Sequence, residues 1–317
     1  MLSISILIIS STILTGVAAA IYGISIFGFR TITKKAKFTS QECFKRVEKQ
    51  KLYSRAKFDN LSKKNIVIKN SEGFKLHGCY IEQFPHSNKV IILVHGYTRT
   101  HTMSLRFCDL YLRQGFNILA IDQRAHGNSD GEYTSYGFYE KHDIEQWVKW
   151  VTRQKGTDAI IGLHGISLGA GTSLEYLHIN QHVKFVVADC PYSNLEQLIR
   201  YQIKHLYKAP VFIFYHTIHF FVKLHAKFRF QDVNPIGAVA QSEIPIMFIH
   251  GSRDRFIPPQ MSHDLFNAKQ KGIKRLWIAE GGRHTKAYIC NRNGYEQEVT
   301  LFLEDVLQFY TVQAVAV

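Results

Sequence analysis

The sequence predicts an α/β fold, a mostly parallel β-sheet covered by helices on both faces. Three observations predict it. Short apolar runs alternate with helical patterns through most of the 317 residues, which is the rhythm of strand–helix crossovers. The turn Gly165-Ile166-Ser167-Leu168-Gly169 joins one apolar run to a small-residue helical run. Two later apolar runs lead into Asp254 and His284, and the carboxyl edge of such a sheet is where catalytic groups collect.

Taken in order, residues 2–29 carry no charged side chain and are apolar enough to cross a bilayer as a helix. A cleaved signal peptide would use Ala18-Ala19-Ala20, but a basic start is missing and the apolar run continues to Phe29. An uncleaved single-pass anchor is expected. Arg30, Lys34, Lys35 and Lys37 follow the span at once, so the positive-inside rule puts the remainder in the cytoplasm. Residues 30–58 hold ten Lys/Arg against Glu42 and Glu48, a net +8. Residues 40–58 read as a basic helix with Phe44, Val47, Lys51 and Arg55 on one face. Its Lys45, Arg46, Lys49 and Lys57 either lie against anionic headgroups or face solvent along a linker. The expected division is an anchor at 1–29, a basic juxtamembrane segment at 30–58 and a catalytic domain at 59–317.

Residues 66–81 read as a hairpin around Ser71-Glu72-Gly73. Strands are expected at 90–94, 117–121, 159–163, 183–188, 244–249 and 274–278. Helical patterns fill 102–114, 138–153, 168–180, 259–271 and 295–310. The alternation stops between Pro191 and Pro235. There Tyr201, Tyr207, Phe212, Phe214, Tyr215, Phe220, Phe221, Phe228 and Phe230 sit among cations, and residues 191–231 carry a net +5. His205, His216, His219 and His225 lie in this stretch without a carboxylate or Cys at ligand spacing, so no metal is expected.

The whole chain carries +14. Nearly all of it sits in the two basic segments, which leaves the catalytic body close to neutral and argues against nucleic acid as a partner. The five cysteines, Cys43, Cys79, Cys108, Cys190 and Cys290, are odd in number and contain no C-x-x-C. They suggest free thiols in a reducing compartment.

Ser167, Asp254 and His284 have the residue types that acyl transfer needs. A Ser hydroxyl attacks only when a base takes its proton, and His accepts and returns one near neutral pH. A carboxylate on the second ring nitrogen fixes the tautomer. Asp189 and then Glu280 are the alternative acids.

These motifs resemble the α/β-hydrolase superfamily over about residues 65–310, in its membrane-anchored bacterial branch akin to serine aminopeptidase-like and prolyl oligopeptidase-related hydrolases. Gly165–Gly169 is similar to the nucleophile elbow G-x-S-x-G. Val90 to Tyr97 looks like the strand that ends in an H-G-x oxyanion loop. Asp122 to Gly131 resembles D-x-R-G-H-G-x-S-x-G, with Ala125 where Gly is usual. His250 to Pro258 looks like H-G-x-x-D-x-x-V-P. The resemblance implies oxyanion donors in the backbone N–H groups of Leu168 and Tyr97, and a helical cap at about 191–235. It implies no cofactor. The expected function is a membrane-anchored serine hydrolase acting on lipophilic or lipid-like esters. The alternatives are a peptidase of the same fold and a non-catalytic lipid- or partner-binding protein.

Overall fold

Strands at the centre of the sheet read as unbroken apolar runs because both of their faces are covered. In the computed structural model, which describes residues 2–34, 37–180 and 182–315, every residue of Asn117–Ile121 is buried. Eight strands form one sheet: β1 Lys63–Lys69, β2 Lys75–Ile81, β3 Lys89–Val94, β4 Asn117–Ile121, β5 Ile160–Ile166, β6 Val183–Asp189, β7 Ile246–Gly251 and β8 Lys274–Ala279. Their order is β1-β2-β4-β3-β5-β6-β7-β8. The β1–β2 hairpin and the β2–β4 pair are antiparallel, and β4, β3, β5, β6, β7 and β8 run parallel.

The helices are α1 Leu2–Thr33, α2 Ser40–Lys49, α3 Arg55–Asp59, α4 His101–Ser104, α5 Cys108–Arg113, α6 Glu140–Lys155 and α7 Leu168–Glu175. They continue as α8 Leu195–His205, α9 Val211–Phe221, α10 Pro235–Gln241, α11 Gln260–Ala268, α12 Ala287–Cys290 and α13 Arg292–Val315. The period of two splits each strand between two cores. Ile91 and Leu93 of β3 point into a cluster with α2, α5 and α13, which includes Phe44, Tyr111, Tyr295 and Phe302. Val90, Ile92 and Val94 point the other way, toward Trp147 of α6, Leu174 of α7 and Leu265 of α11. A third cluster joins α8 and α9 to Phe29 of α1.

Two stretches depart from the expected helices. Residues 40–58 form α2 and α3, separated by Lys51 in the left-handed region at φ 54°. Thr39 caps α2 through a capping box with Glu42, and Ser54 caps α3. The apolar stripe of α2 packs into the main core, where Cys43, Phe44 and Val47 are buried. Arg55 lies over the Phe44 ring at 3.7 Å. Residues 102–114 are likewise broken by a 3₁₀ turn at Leu105–Phe107, whose three side chains are all buried. Neither break is written in the apolar spacing, because both serve packing against distant strands.

The apolar helix α1 has two halves. Residues 8–20 are exposed throughout. Ser25, Phe29 and Thr33, four residues apart and so on one face, are buried. Ser25 Oγ lies 2.6 Å from Thr217 Oγ1 of α9. A Cβ at Gly28 would come within 2.6 Å of Ile218 Cδ1, so α1 and α9 cross closely here. The carbonyls left open at the end of a helix have partners here. Thr31 O accepts from the Tyr97 hydroxyl at 3.0 Å, Ile32 O from the Tyr136 hydroxyl at 3.2 Å, and Thr33 O from the Thr134 N–H at 3.0 Å. Lys34 pairs with Glu132. Lys35, part of the charge pattern read from the sequence, lies outside the described residues.

Three buried histidines brace the strand ends. His95 Nδ1 donates to Gly96 O at 2.8 Å, and its Nε2 accepts from the Gln123 N–H at 3.0 Å. His126 Nε2 accepts from the Thr98 N–H at 3.2 Å. His164 bridges the hydroxyls of Tyr111 and Tyr295, each at 2.9 Å. Burial pushes the pKa of His95 down to about 4, that of His164 down to about 3, and that of His126 well below the ordinary value. The unfolded chain therefore takes up protons below about pH 6.5 that the folded chain refuses. Each such histidine should remove stability as pH falls toward its folded pKa, with a limiting slope of about 1.4 kcal/mol per pH unit. Urea unfolding of His164→Asn between pH 6.5 and 4.5 should show a slope shallower by about one proton. An unchanged slope would contradict a neutral, buried His164.

Candidate active site

Strand β5 turns into α7 through one residue, Ser167, at φ 55° and ψ −114°. Such backbone costs on the order of 1–3 kcal/mol and persists only where its surroundings enforce it. The enforcement is visible. A Cβ at Gly165 would lie 2.1 Å from Gly169 O, and one at Gly169 would lie 2.1 Å from Val94 O. Only glycine allows the turn to close so tightly. The Ser167 N–H donates to Asp189 O at 2.8 Å, and the Gly171 N–H donates to Ser167 O at 3.0 Å. The hydroxyl is thereby held at the carboxyl edge of the sheet.

The loops after β7 and β8 bring the other two residues to it. Ser167 Oγ lies 2.8 Å from His284 Nε2, and His284 Nδ1 lies 2.6 Å from Asp254 Oδ2. An ionised Asp254 accepts, so Nδ1 carries the proton and Nε2 presents its lone pair to the serine. Asp254 Oδ1 also accepts from the Phe256 and Ile257 N–H groups at 2.8 and 3.0 Å. Burial raises the Asp254 pKa, but hydrogen bonds from His250 and His284 outweigh it and hold the carboxyl well below the usual range. The three sequence-predicted residues therefore meet. The alternatives do not reach His284 by hydrogen bond. Asp189 accepts from the Tyr295 hydroxyl at 3.1 Å, and burial, only partly offset by Arg106, pushes its pKa up. Glu280 accepts from Ser252 Oγ at 3.1 Å.

His250, named in the sequence only as the start of a motif, also reaches the acid. Its Nδ1 is 2.7 Å from Ser262 Oγ, and its Nε2 is 2.9 Å from Ile257 O and 3.3 Å from Asp254 Oδ2. Those partners make Nε2 the protonated nitrogen and aim it at the acid. The i, i+4 spacing of His250 and Asp254 was the available signal.

The loop after β3 lies beside the nucleophile, because β3 pairs with β5 in the register Val94↔Gly165. A Cβ at Gly96 would sit 3.6 Å from Ser167 Cβ, so Tyr97, the next residue, enters the site. Its fold is pinned by His126 through Thr98 and by Asp122, whose Oδ1 accepts from the His101 N–H at 2.7 Å. Leu168 opens α7, where N–H groups and the helix dipole favour negative charge. Ala125, the departure from the resembled motif, sits at φ 58°, the backbone for which glycine is the usual occupant.

Cys190 Sγ falls close to Asp254 and His284, with the ligand atoms of all three within 4.8 Å of one another. Burial drives the Cys190 thiol well up, which keeps it protonated beside the triad.

The alpha/beta hydrolase fold family matches residues 89–211. The uncharacterized protein YqkD of Bacillus subtilis is 34% identical over 252 residues, spanning 78% of this chain and 82% of that protein. The Pyrococcus furiosus esterase Pf2001 superposes with a TM-score of 0.64 at 25% identity, covering 80% of this chain and 96% of the esterase. The Pyrococcus horikoshii acylaminoacyl peptidase shares the fold at a TM-score of 0.57 and 18% identity, over 78% of this chain and 42% of the peptidase. With its nucleophile-elbow geometry and these likenesses, the chain belongs to the α/β-hydrolase superfamily.

Proposed function

We propose that this hydrolase is a membrane-anchored serine esterase that cleaves lipophilic esters through an acyl-enzyme. The observation that carries the reading is the continuous relay from Ser167 Oγ through His284 to Asp254, at 2.8 and 2.6 Å. His284 Nε2 takes the serine proton as Ser167 Oγ attacks the ester carbonyl. The oxyanion that forms is met by the backbone N–H groups of Leu168 and Tyr97, and each such donor typically contributes about 3–4 kcal/mol. The ester C–O bond breaks as His284 passes its proton to the leaving alkoxide. Water then attacks the acyl-enzyme with His284 as base, which releases the acid and restores the serine hydroxyl. Asp254 stays ionised and holds the imidazole tautomer throughout.

Ser167→Ala and His284→Ala should each lower kcat for a short p-nitrophenyl ester by roughly 10⁴- to 10⁶-fold, because triad members act as a unit. Asp254→Asn should cost about 10⁴-fold, and Asp189→Asn far less. A fluorophosphonate probe should label the wild type and not Ser167→Ala. If Asp189→Asn proved the more damaging of the two, the acid would be misassigned. Faster turnover of aminoacyl amides than of esters would favour a peptidase.

The exposed half of α1 supports the anchor, and Arg30, Lys34 and Lys37 beyond it support a cytoplasmic domain. A fluorescent protein fused after Val317 should fluoresce in bacterial cells, and alkaline phosphatase fused there should be inactive. An active phosphatase fusion would reverse the orientation.

A further inference from the structure

The apolar helix α1 does more than tether the domain. Its last turns lie along α9, and their carbonyls accept from Tyr97 and Tyr136. Between α1 and the helices α8 and α9 lies a cavity of about 370 Å³, within the range of small-ligand sites. Ile24, Phe27 and Thr31 of α1 line one wall, and Ile199, Ile203 and Phe214 line the other. Tyr97 and Phe256 also line the cavity. Tyr97 is the residue whose N–H is assigned to the oxyanion, and the Phe256 ring lies 4.9 Å from the His284 imidazole. Three of the polar groups along the cavity are already engaged. The Tyr97 and Tyr136 hydroxyls donate to Thr31 and Ile32, and Gln202 Nε2 donates to Phe256 O at 3.1 Å. What remains is a largely hydrocarbon surface.

The α1 wall of the cavity runs from Thr31 and Ile32 back to Ile24, toward the exposed residues 8–20; Tyr97 and Phe256 link it to the triad, whose own side chains are not among its lining residues. Ile24 and Phe27, at that outer end, are 51% and 66% exposed. On the cap, Phe212, Phe220, Leu224, Lys204, Lys208 and Lys223 are exposed as well. Aromatic and aliphatic side chains flanked by lysines are the composition of a membrane–water interface.

We propose that this cavity holds the acyl chain of the substrate, that the chain enters from the bilayer alongside α1, and that the membrane helix is therefore one wall of the active site. The inference rests on the serine-esterase reading and narrows it to esters of medium-length aliphatic acids held in a membrane. The chain lies between α1 and α9 while its ester carbonyl faces Ser167. The acid released by water returns along the same path.

The test uses the full chain in phosphatidylcholine nanodiscs, with p-nitrophenyl acetate and p-nitrophenyl octanoate as probes. The wild type should prefer octanoate in kcat/KM by tenfold or more, since each methylene in an apolar pocket is worth about tenfold at the least. Thr31→Trp, from the helix wall, and Ala209→Trp, from the cap side, should each lower the octanoate-to-acetate ratio by about tenfold or more. Ile13→Trp, on the exposed half of α1, should leave the ratio unchanged. Labelling of Ser167 by a short ethyl fluorophosphonate reports whether the site is intact in each variant. A second measurement does not depend on any variant folding. A fluorophosphonate bearing a terminal diazirine on an octyl chain, bound at Ser167 of the wild type, should crosslink on illumination to the peptide holding residues 24–32. Unchanged ratios in both tryptophan variants with labelling intact, or crosslinks confined to other segments, would overturn the inference and leave the esterase reading standing. A wild type that hydrolyses neither ester and does not label would instead remove the esterase reading itself.

Discussion

The structure turns on the contact between the backbone of α7 and the ends of β5 and β3. Gly165 and Gly169 let three stretches of main chain meet at distances that no Cβ would permit, and the result is Ser167 at φ 55°. Everything near the site follows from that closeness. The register Val94↔Gly165 brings the Gly96-Tyr97 turn beside the serine. The register Ile166↔Asp189 lets the Ser167 N–H donate to Asp189 O. The strain in one residue is sustained by an eight-stranded sheet whose two faces are both covered, so the local cost is small beside the packing that enforces it.

Two buried carboxylates near the site are driven in opposite directions, and this separates their roles. Asp254 is met by two backbone N–H groups and two histidines, and these outweigh its burial. Asp189 has the Tyr295 hydroxyl and a nearby Arg106 guanidinium, and burial prevails. A carboxyl that stays ionised suits the partner of a catalytic imidazole. One that resists ionisation suits a structural post, which matches Asp189's place beneath the elbow, where its carbonyl holds the Ser167 N–H. Sequence position alone ranked these two residues only by motif, since both follow the end of an apolar strand. Their environments distinguish them.

Much of the fold was legible because its signals are local. Buried strands show as apolar runs, the β1–β2 hairpin shows in Ser71-Glu72-Gly73, and the elbow shows in its glycines. The order Ser167, Asp254, His284 was legible for the same reason, since each residue follows a strand end. The segmentation of residues 40–58 and of 102–114 was hidden because it answers to distant partners. Phe44 and Val47 are buried against strands and helices far along the chain, and Leu105–Phe107 tightens to bury three consecutive side chains. The docking of α1 was hidden more completely. Its composition meets the requirement for a membrane span from Ile8 to Thr33, and the Ser25, Phe29 and Thr33 face is too weak a pattern to reveal that half of it has a protein partner. The role of His250 shows only in its contacts with Ile257 and Asp254, which the motif alone does not reveal.

A serine esterase of this geometry must pass through a covalent intermediate at the strained Ser167. Rapid quenching of the enzyme during turnover of a slowly deacylated ester, followed by peptide mass spectrometry, measures this directly. An acyl adduct on the peptide containing Ser167, formed and lost at rates that match turnover, is the predicted result. Full turnover with no adduct on that peptide, or an adduct on another side chain, would contradict it.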